Sequence, residues 1–321
     1  MSSRRIALAG IIILLFLWTI VVGSFIRPVQ PSLAPLTPAD TLDEIMARGK
    51  LVIATDSAYP PNSALIPGAS RTADTLCARN EYTAGEFTGY NIAVAVEIAR
   101  RLGVEPCFVT PTRTEIISGG WDDRWDIHIG SLAITPERMQ VVYFTRPYYA
   151  GPVSLFVNSQ NTAYSDLSSL SGKKIGVCAG CISEHYLDGT LDLPGQKIDF
   201  AIKNATIVAY ENEAVALTDL AFGDGVNLDA VLTNQPLGED ALKNGLPIRQ
   251  LGGPVFYDYD AAAADKKSSR DPATLVKTVN AIIREMDEDG TLLRFSQHYY
   301  GRDLVTDTAR FNITALEPVN G

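Results

Sequence analysis

From residue 41 onward the apolar positions alternate between two spacings. Residues 51–55, Leu-Val-Ile-Ala-Thr, are a short continuous apolar run, which predicts a buried strand with a loop over 56–61 at its C-terminal end. Just before it, Thr41-Leu42-Asp43-Glu44 has the form of a capping box and predicts a short helix that stops at Gly49. From Asn91 the apolar residues Ile92, Val94, Ala95, Ile98 and Leu102 recur at helical spacing, and Gly103 ends that helix. Strands are predicted at 107–109, 127–130 and 153–156. The same grammar then returns: a strand at 174–178, a helix at 183–187, a strand at 206–210, a helix at 213–222 and a strand at 229–232. An amphipathic helix at 272–286 and a last one ending at Gly301 complete the pattern. Strands alternating with helices indicate α/β units with largely parallel sheets. The pattern runs twice with a break near 149–153 and no sequence repeat between the halves, which predicts two α/β lobes.

The segment before this pattern changes the picture. Arg4 and Arg5 precede an uncharged apolar stretch at 6–26, long enough to span a bilayer as a helix. The positive flank puts the N-terminus in the cytoplasm and everything after it outside. Residues 1–27 therefore read as a transmembrane anchor or a signal segment, with Val21-Val22-Gly23 available as a cleavage site. The proline-rich residues 28–40 read as an extended linker. The composition is globular, and the charge of the whole chain is acidic, 27 Lys+Arg against 37 Asp+Glu. That excludes a nucleic-acid surface, which needs clustered positive charge.

Four cysteines in an exported chain, Cys77, Cys107, Cys178 and Cys181, point to two disulfides. Three connectivities exist, and local pairing, Cys77 with Cys107 and Cys178 with Cys181, is the expected one. A zinc site has no support, because His128, His185 and His298 show no ligand spacing with the cysteines. No metal and no cofactor is expected.

Several segments carry a family resemblance. Residues 42–59, LDEIMARGKLVIATDSAY, Phe87-Thr88-Gly89-Tyr90-Asn91 before a helix, and above all residues 125–149, WDIHIGSLAITPERMQVVYFTRPYY, resemble the polar amino-acid-binding family of periplasmic and extracellular solute-binding proteins. Residues 173–180, 228–236 and 287–301 continue the match in order. The resemblance implies a two-lobed type II periplasmic-binding-protein fold with two hinge strands. Lobe 1 would comprise 41–152 plus 258–305, lobe 2 would comprise 153–257, and 306–321 would be a tail. It implies a monomeric receptor that closes around an amino acid or related small carboxylate and hands it to an ABC permease.

The resemblance also implies site residues. Arg138, one turn into Thr135-Pro136-Glu137-Arg138, would grip a carboxylate, for which the planar guanidinium is suited. Ser131 and Ala133 would offer main-chain groups at the end of a buried strand, where ligands meet open α/β sheets; Ala133 lacks the hydroxyl usual there. Tyr59 resembles an aromatic lid, and Asp56 is positioned to accept from an ammonium. From the second lobe, Cys181, Ile182 and Ser183 would open a helix whose free N–H groups attract an anion. Asn234 stands where the family usually has an aspartate that pairs with the ligand's ammonium. A neutral amide cannot neutralise a buried cation, so either another acid serves or the ligand is not a standard zwitterion. Three competing readings are weaker. Strand, C-x-x-C, helix is also the thioredoxin order, but the rest of the chain does not follow it. A dehydratase-type enzyme on this fold lacks a convincing acid pair. A sensory ectodomain would need a separate signalling partner. The pair Trp121 and Trp125 reads as packing at the base of a lobe, in preference to a cage for a quaternary amine.

Overall fold

The computed structural model describes residues 39–222 and 227–316. The expected anchor and nearly all of the expected linker lie outside the described residues. Among the described residues no helix is long and apolar enough to cross a membrane.

The chain opens with α1 (Thr41–Arg48) and β1 (Lys50–Ala54). The cap differs from the expected box: Asp40 is the N-cap, its carboxylate accepting from Leu42 N at 2.8 Å and Asp43 N at 3.2 Å, and Thr41 is already helical. An Asp at this position satisfies two orphan amides at once. Short strands β2 (Ala58–Tyr59), β3 (Ser63–Leu65), β4 (Tyr82–Thr83) and β5 (Phe87–Thr88) occupy the stretch that shows no periodicity in sequence. The helix α2 (Tyr90–Leu102), β6 (Glu105–Val109), α3 (Arg113–Ile117) and β7 (Ile127–His128) follow. The chain then enters β8 (Val142–Asn158), far longer than the predicted four-residue strand.

The second round comprises β9 (Lys174–Cys178), α4 (Ile182–Asp188), β10 (Thr206–Tyr210), α5 (Glu213–Phe222), β11 (Ala230–Asn234) and α6 (Gln235–Lys243). A second long strand, β12 (Ile248–Asp265), returns antiparallel to β8 and pairs with it from Ile248↔Asn158 to Asp265↔Val142. The helices α7 (Ala273–Glu288) and α8 (Thr291–Tyr300) close the pattern. The segment 306–316, expected as part of a tail, forms two short 3-10 turns, and its Phe311 and Leu316 are buried in the core.

Among the described residues the main sheet has the order β10-β9-β11-β8-β12-β7-β1-β6-β4. Parallel triplets stand at either side, β6-β1-β7 and β10-β9-β11, and the two long strands run between them as an antiparallel ribbon. The architecture is thus two α/β lobes joined by two hinge strands. Each lobe has its own apolar packing. In one, Leu51 and Ile53 of β1 meet Val94 and Ile98 of α2 and Val279 and Ile283 of α7. In the other, Ile175 and Val177 of β9 pack with Tyr186 of α4 and Leu232 of β11. Burial of this kind is worth about 1.5–3 kcal/mol per large aliphatic side chain. On the far face of the first lobe Trp121 and Trp125 pack ring against ring at 5.2 Å, both buried, as the packing reading expects.

Candidate functional site: a charged cleft between the lobes

Parallel pairing of β1 with β7 (Ala54↔His128) brings the C-terminal ends of both strands to one rim, where an open α/β sheet exposes its ligand crevice. Asp56 and Ser131 leave the sheet there. Ser131 N donates to Asp56 Oδ2 at 3.4 Å, and Ser131 Oγ accepts from Asn62 Nδ2 at 2.8 Å. The first residue of α3, Arg113, lies over the same turn. Its Nη1 donates to Ser131 O at 3.3 Å, and its Nη2 stands 4.0 Å from Asp56 Oδ1.

Arg138 begins a 3-10 turn after Thr135-Pro136 and folds back into the cleft, 7% exposed. Nη1 donates to Ala133 O at 2.9 Å, and Nη2 donates across the cleft to Gly180 O at 3.1 Å. Both partners are neutral carbonyls, and among the described residues no carboxylate forms an ion pair with this guanidinium. Burial, with Arg113 nearby, pulls its pKa down to about 10, so it stays charged near neutrality.

Across the cleft, disulfides pair Cys178 with Cys181 and, far from the site, Cys77 with Cys107. The first of these closes the turn that carries Gly180, at φ +71°, where a Cβ would be strained. The expected anion-attracting turn is partly self-satisfied, because Gly180 N donates to Glu184 Oε2 at 2.7 Å. Cys181 caps α4, and Ile182 and Ser183 are buried behind it. Glu213, first residue of α5 and 4% exposed, accepts from Tyr59 Oη at 3.4 Å, and its Oε1 lies 2.8 Å from Cys178 Sγ. Asn234 ends β11; its Oδ1 accepts from Tyr149 Oη at 3.1 Å, whereas its buried Nδ2 has no partner.

The hinge strand adds two acids. Asp258 and Asp260 alternate with tyrosines along β12, so both point to one face. Asp258 Oδ1 and both carboxylate oxygens of Asp260 are buried without a hydrogen-bond partner. Burial, followed by Glu213, pushes Asp258 up to about 7; burial and Asp258 hold Asp260 well above the usual carboxylate range. Burial raises Glu213 as well.

These groups enclose a cavity of about 30 Å³ lined by Tyr59, Arg113, Ser131, Ala133, Arg138, Val153, Cys181, Ile182, Ser183, Glu213, Asn234 and Asp258. Of the residues singled out from sequence, all but Asp56 line it. Asp56 lines the adjoining cleft of about 300 Å³, which shares Tyr59, Arg113 and Glu213 with the cavity. The space between these side chains is too small for an amino-acid-sized solute. The sequence assigns no individual role to Arg113, Glu213 or Asp258. A glutamate opening a helix reads as an ordinary first-turn charge, but the Tyr-Asp-Tyr-Asp alternation within a strand was a usable signal, since acids at period two share one face.

A model of the bacterial extracellular solute-binding proteins, family 3, matches residues 76–302. The chain belongs to that family. This solute-binding protein is 26% identical over 265 residues to an L-cystine-binding protein of Escherichia coli, covering 82% of this chain and 87% of that one. It is 26% identical over 232 residues to the lysine/arginine/ornithine-binding periplasmic protein of the same organism, covering 70% and 83%. Among solved structures, an ancestral amino acid-binding protein described as a precursor of cyclohexadienyl dehydratase superposes with TM-score 0.64 at 27% identity, covering 81% of this chain and 100% of that one. An ancestral arginine-binding protein bound to arginine gives 0.62 at 24%, covering 79% and 99%, a likeness of fold.

Proposed function

We propose that this protein is the extracytoplasmic receptor of an ABC-type uptake system, closing around an amino acid or related small carboxylate, with residues 1–27 as its anchor or export signal. The carrying observation is Arg138: a buried guanidinium, without a carboxylate partner among the described residues, at the seam between lobes. A buried cation held only by carbonyls is incompletely compensated, and a solute carboxylate supplies the missing charge. The main-chain rim at Ser131 and Ala133 and the lid position of Tyr59 fit a ligand docked first on the lobe that carries Arg138. Closure then brings the Cys181–Ser183 turn and Asn234 over it. Exclusion of water strengthens each polar contact, and the solute's binding free energy appears as a shift toward the closed state. The names of the curated relatives, which bind cystine, histidine or basic amino acids, support the amino-acid class.

A thermal-shift screen of amino acids and organic acids tests this reading, since a ligand of the folded form raises its melting temperature. The best ligand is expected to shift wild-type protein, and Arg138→Ala is expected to remove the shift while the circular dichroism spectrum is unchanged. An undiminished shift in the folded variant removes Arg138 from the site. Conversion of the solute to a product, in place of stoichiometric protection, would favour an enzyme.

A further inference from the structure

The charges around the cavity do not cancel. Arg113 has Asp56 beside it at 4.0 Å. Arg138 faces carbonyls and stays available for an anion. On the negative side, Asp258 is more than nine-tenths buried and its Oδ1 has no partner, and it lines the same cavity as Glu213 and Arg138. Tyr59 is the hydroxyl donor to Glu213. Behind Asp258, two residues along the same strand face, Asp260 adds a further buried, unpartnered carboxylate. Asn234 offers the opposite chemistry. Tyr149 occupies its Oδ1, so the group left over is the Nδ2 donor, which repels the N–H groups of an ammonium.

We propose that Asp258 of the second hinge strand and Glu213 of α5 form the cation subsite of the cleft, and that they select solutes carrying a protonated amine beside the carboxylate held by Arg138. This deepens the receptor reading above and rests on it. With Arg138 neutralised by the solute's carboxylate, two acids still face the cavity. A solute with one amine satisfies one of them and leaves the other to keep its proton. A solute with two amines matches both. The pair therefore ranks diamino acids above monoamino acids, and monoamino acids above plain carboxylates. Because the subsite is shared between a hinge strand and a helix of the second lobe, it is complete only when the lobes meet, so the amine adds its own reward for closure to that of the carboxylate.

The test is isothermal titration of the full-length protein with three probes of matched carbon chain: L-lysine, L-norleucine and hexanoate. Affinity is expected to fall in that order, with each lost amine costing roughly 30-fold or more, as removal of one partner of a buried charge pair does. The isosteric variants Asp258→Asn and Glu213→Gln should each compress the lysine-to-norleucine ratio toward unity, whereas Arg138→Ala should weaken all probes alike. The wild-type ranking needs no variant to fold. Hexanoate binding as tightly as lysine, and lost in Arg138→Ala, would overturn the cation subsite and leave the receptor reading standing. An unchanged lysine-to-norleucine ratio in both isosteric variants would do the same. Failure of all three probes to bind wild-type protein would overturn the subsite together with an amino-acid ligand.

Discussion

Single residues set how this protein should respond to pH. Asp258 is faced by Glu213 from α5, Arg138 from the opposite rim, Asp260 on its own strand and the hydroxyls of Tyr59 and Tyr149. Burial first, and Glu213 next, lift it from an ordinary 3.8 to about 7. Between those values the folded chain keeps a proton that the unfolded chain has released, so stability falls as pH rises through that window. Glu213 and Asp260, shifted the same way, add to the slope. Surface acids such as Glu97 and Glu115, pulled down to about 2 by their hydrogen-bonded arginines, act below their usual 4.5, whereas His128, held down at about 4 by burial, opposes the slope only up to its ordinary 6.5 and is outweighed by the three raised acids. The unliganded protein is therefore expected to melt at lower temperature at pH 8 than at pH 5.5, with a smaller difference in Asp258→Asn; melting curves across that range check it, and a rise with pH would refute the assignment. That Arg138, Ser131, Tyr59 and Asn234 meet at one cleft was legible in sequence because a dense local motif surrounds each. Glu213 was not, and the alternation around Asp258 marked only the face it shares with Asp260. Their meaning comes from burial next to an unpaired cation, and burial is a property of the assembled cleft.

At the scale of elements, helices with a clean apolar stripe were the easy part, as α2 and α7 illustrate. The hinge strand β8 was read only over 153–156, because Arg146-Pro147-Tyr148-Tyr149 interrupts its apolar run and proline normally breaks a ladder. It survives since Pro147 lies beside the register shift at Asp260/Ala261, where the ladder is already irregular. The helix α6 shows packing overriding propensity. A Cβ on Gly238 would stand 2.2 Å from two ring carbons of Phe156, a wholly buried residue of β8. Gly238→Ala gains about 1 kcal/mol of helix propensity but incurs an overpacking cost of about 1–3 kcal/mol against a ring with no room to retreat. A net loss of stability is expected, read as a lower urea midpoint at unchanged m-value. A raised midpoint would mean that the ring moves aside at little cost.

For the whole molecule, alternation of strands and helices in two rounds was enough to expect two lobes, and the family match agrees with that architecture. What the pattern did not disclose is how tightly the end of the chain is woven into its beginning. Phe311 and Leu316, from a stretch expected to be a tail, lie among the buried residues around Trp121 and Phe144. Such contacts join residues nearly two hundred positions apart. No period or propensity in a local window encodes them.

The placement of β12 between β8 and β7 has a consequence for synthesis. The lobe begun at residue 41 lacks an interior strand until residues 261–264 arrive, and the helix that covers its β1 face, α7, comes later still. A nascent chain released up to about residue 250 can complete the second round of units but not the first, so most of the polypeptide emerges before its first-made portion can lock. Late closure fits the extracytoplasmic role proposed above, and a fragment comprising residues 39–250 is accordingly expected to protect the amides of β9, β10 and β11 from hydrogen exchange while leaving those of β1 and β6 unprotected, whereas protection of β1 and β6 in that fragment would show that the leading portion needs no help from the end.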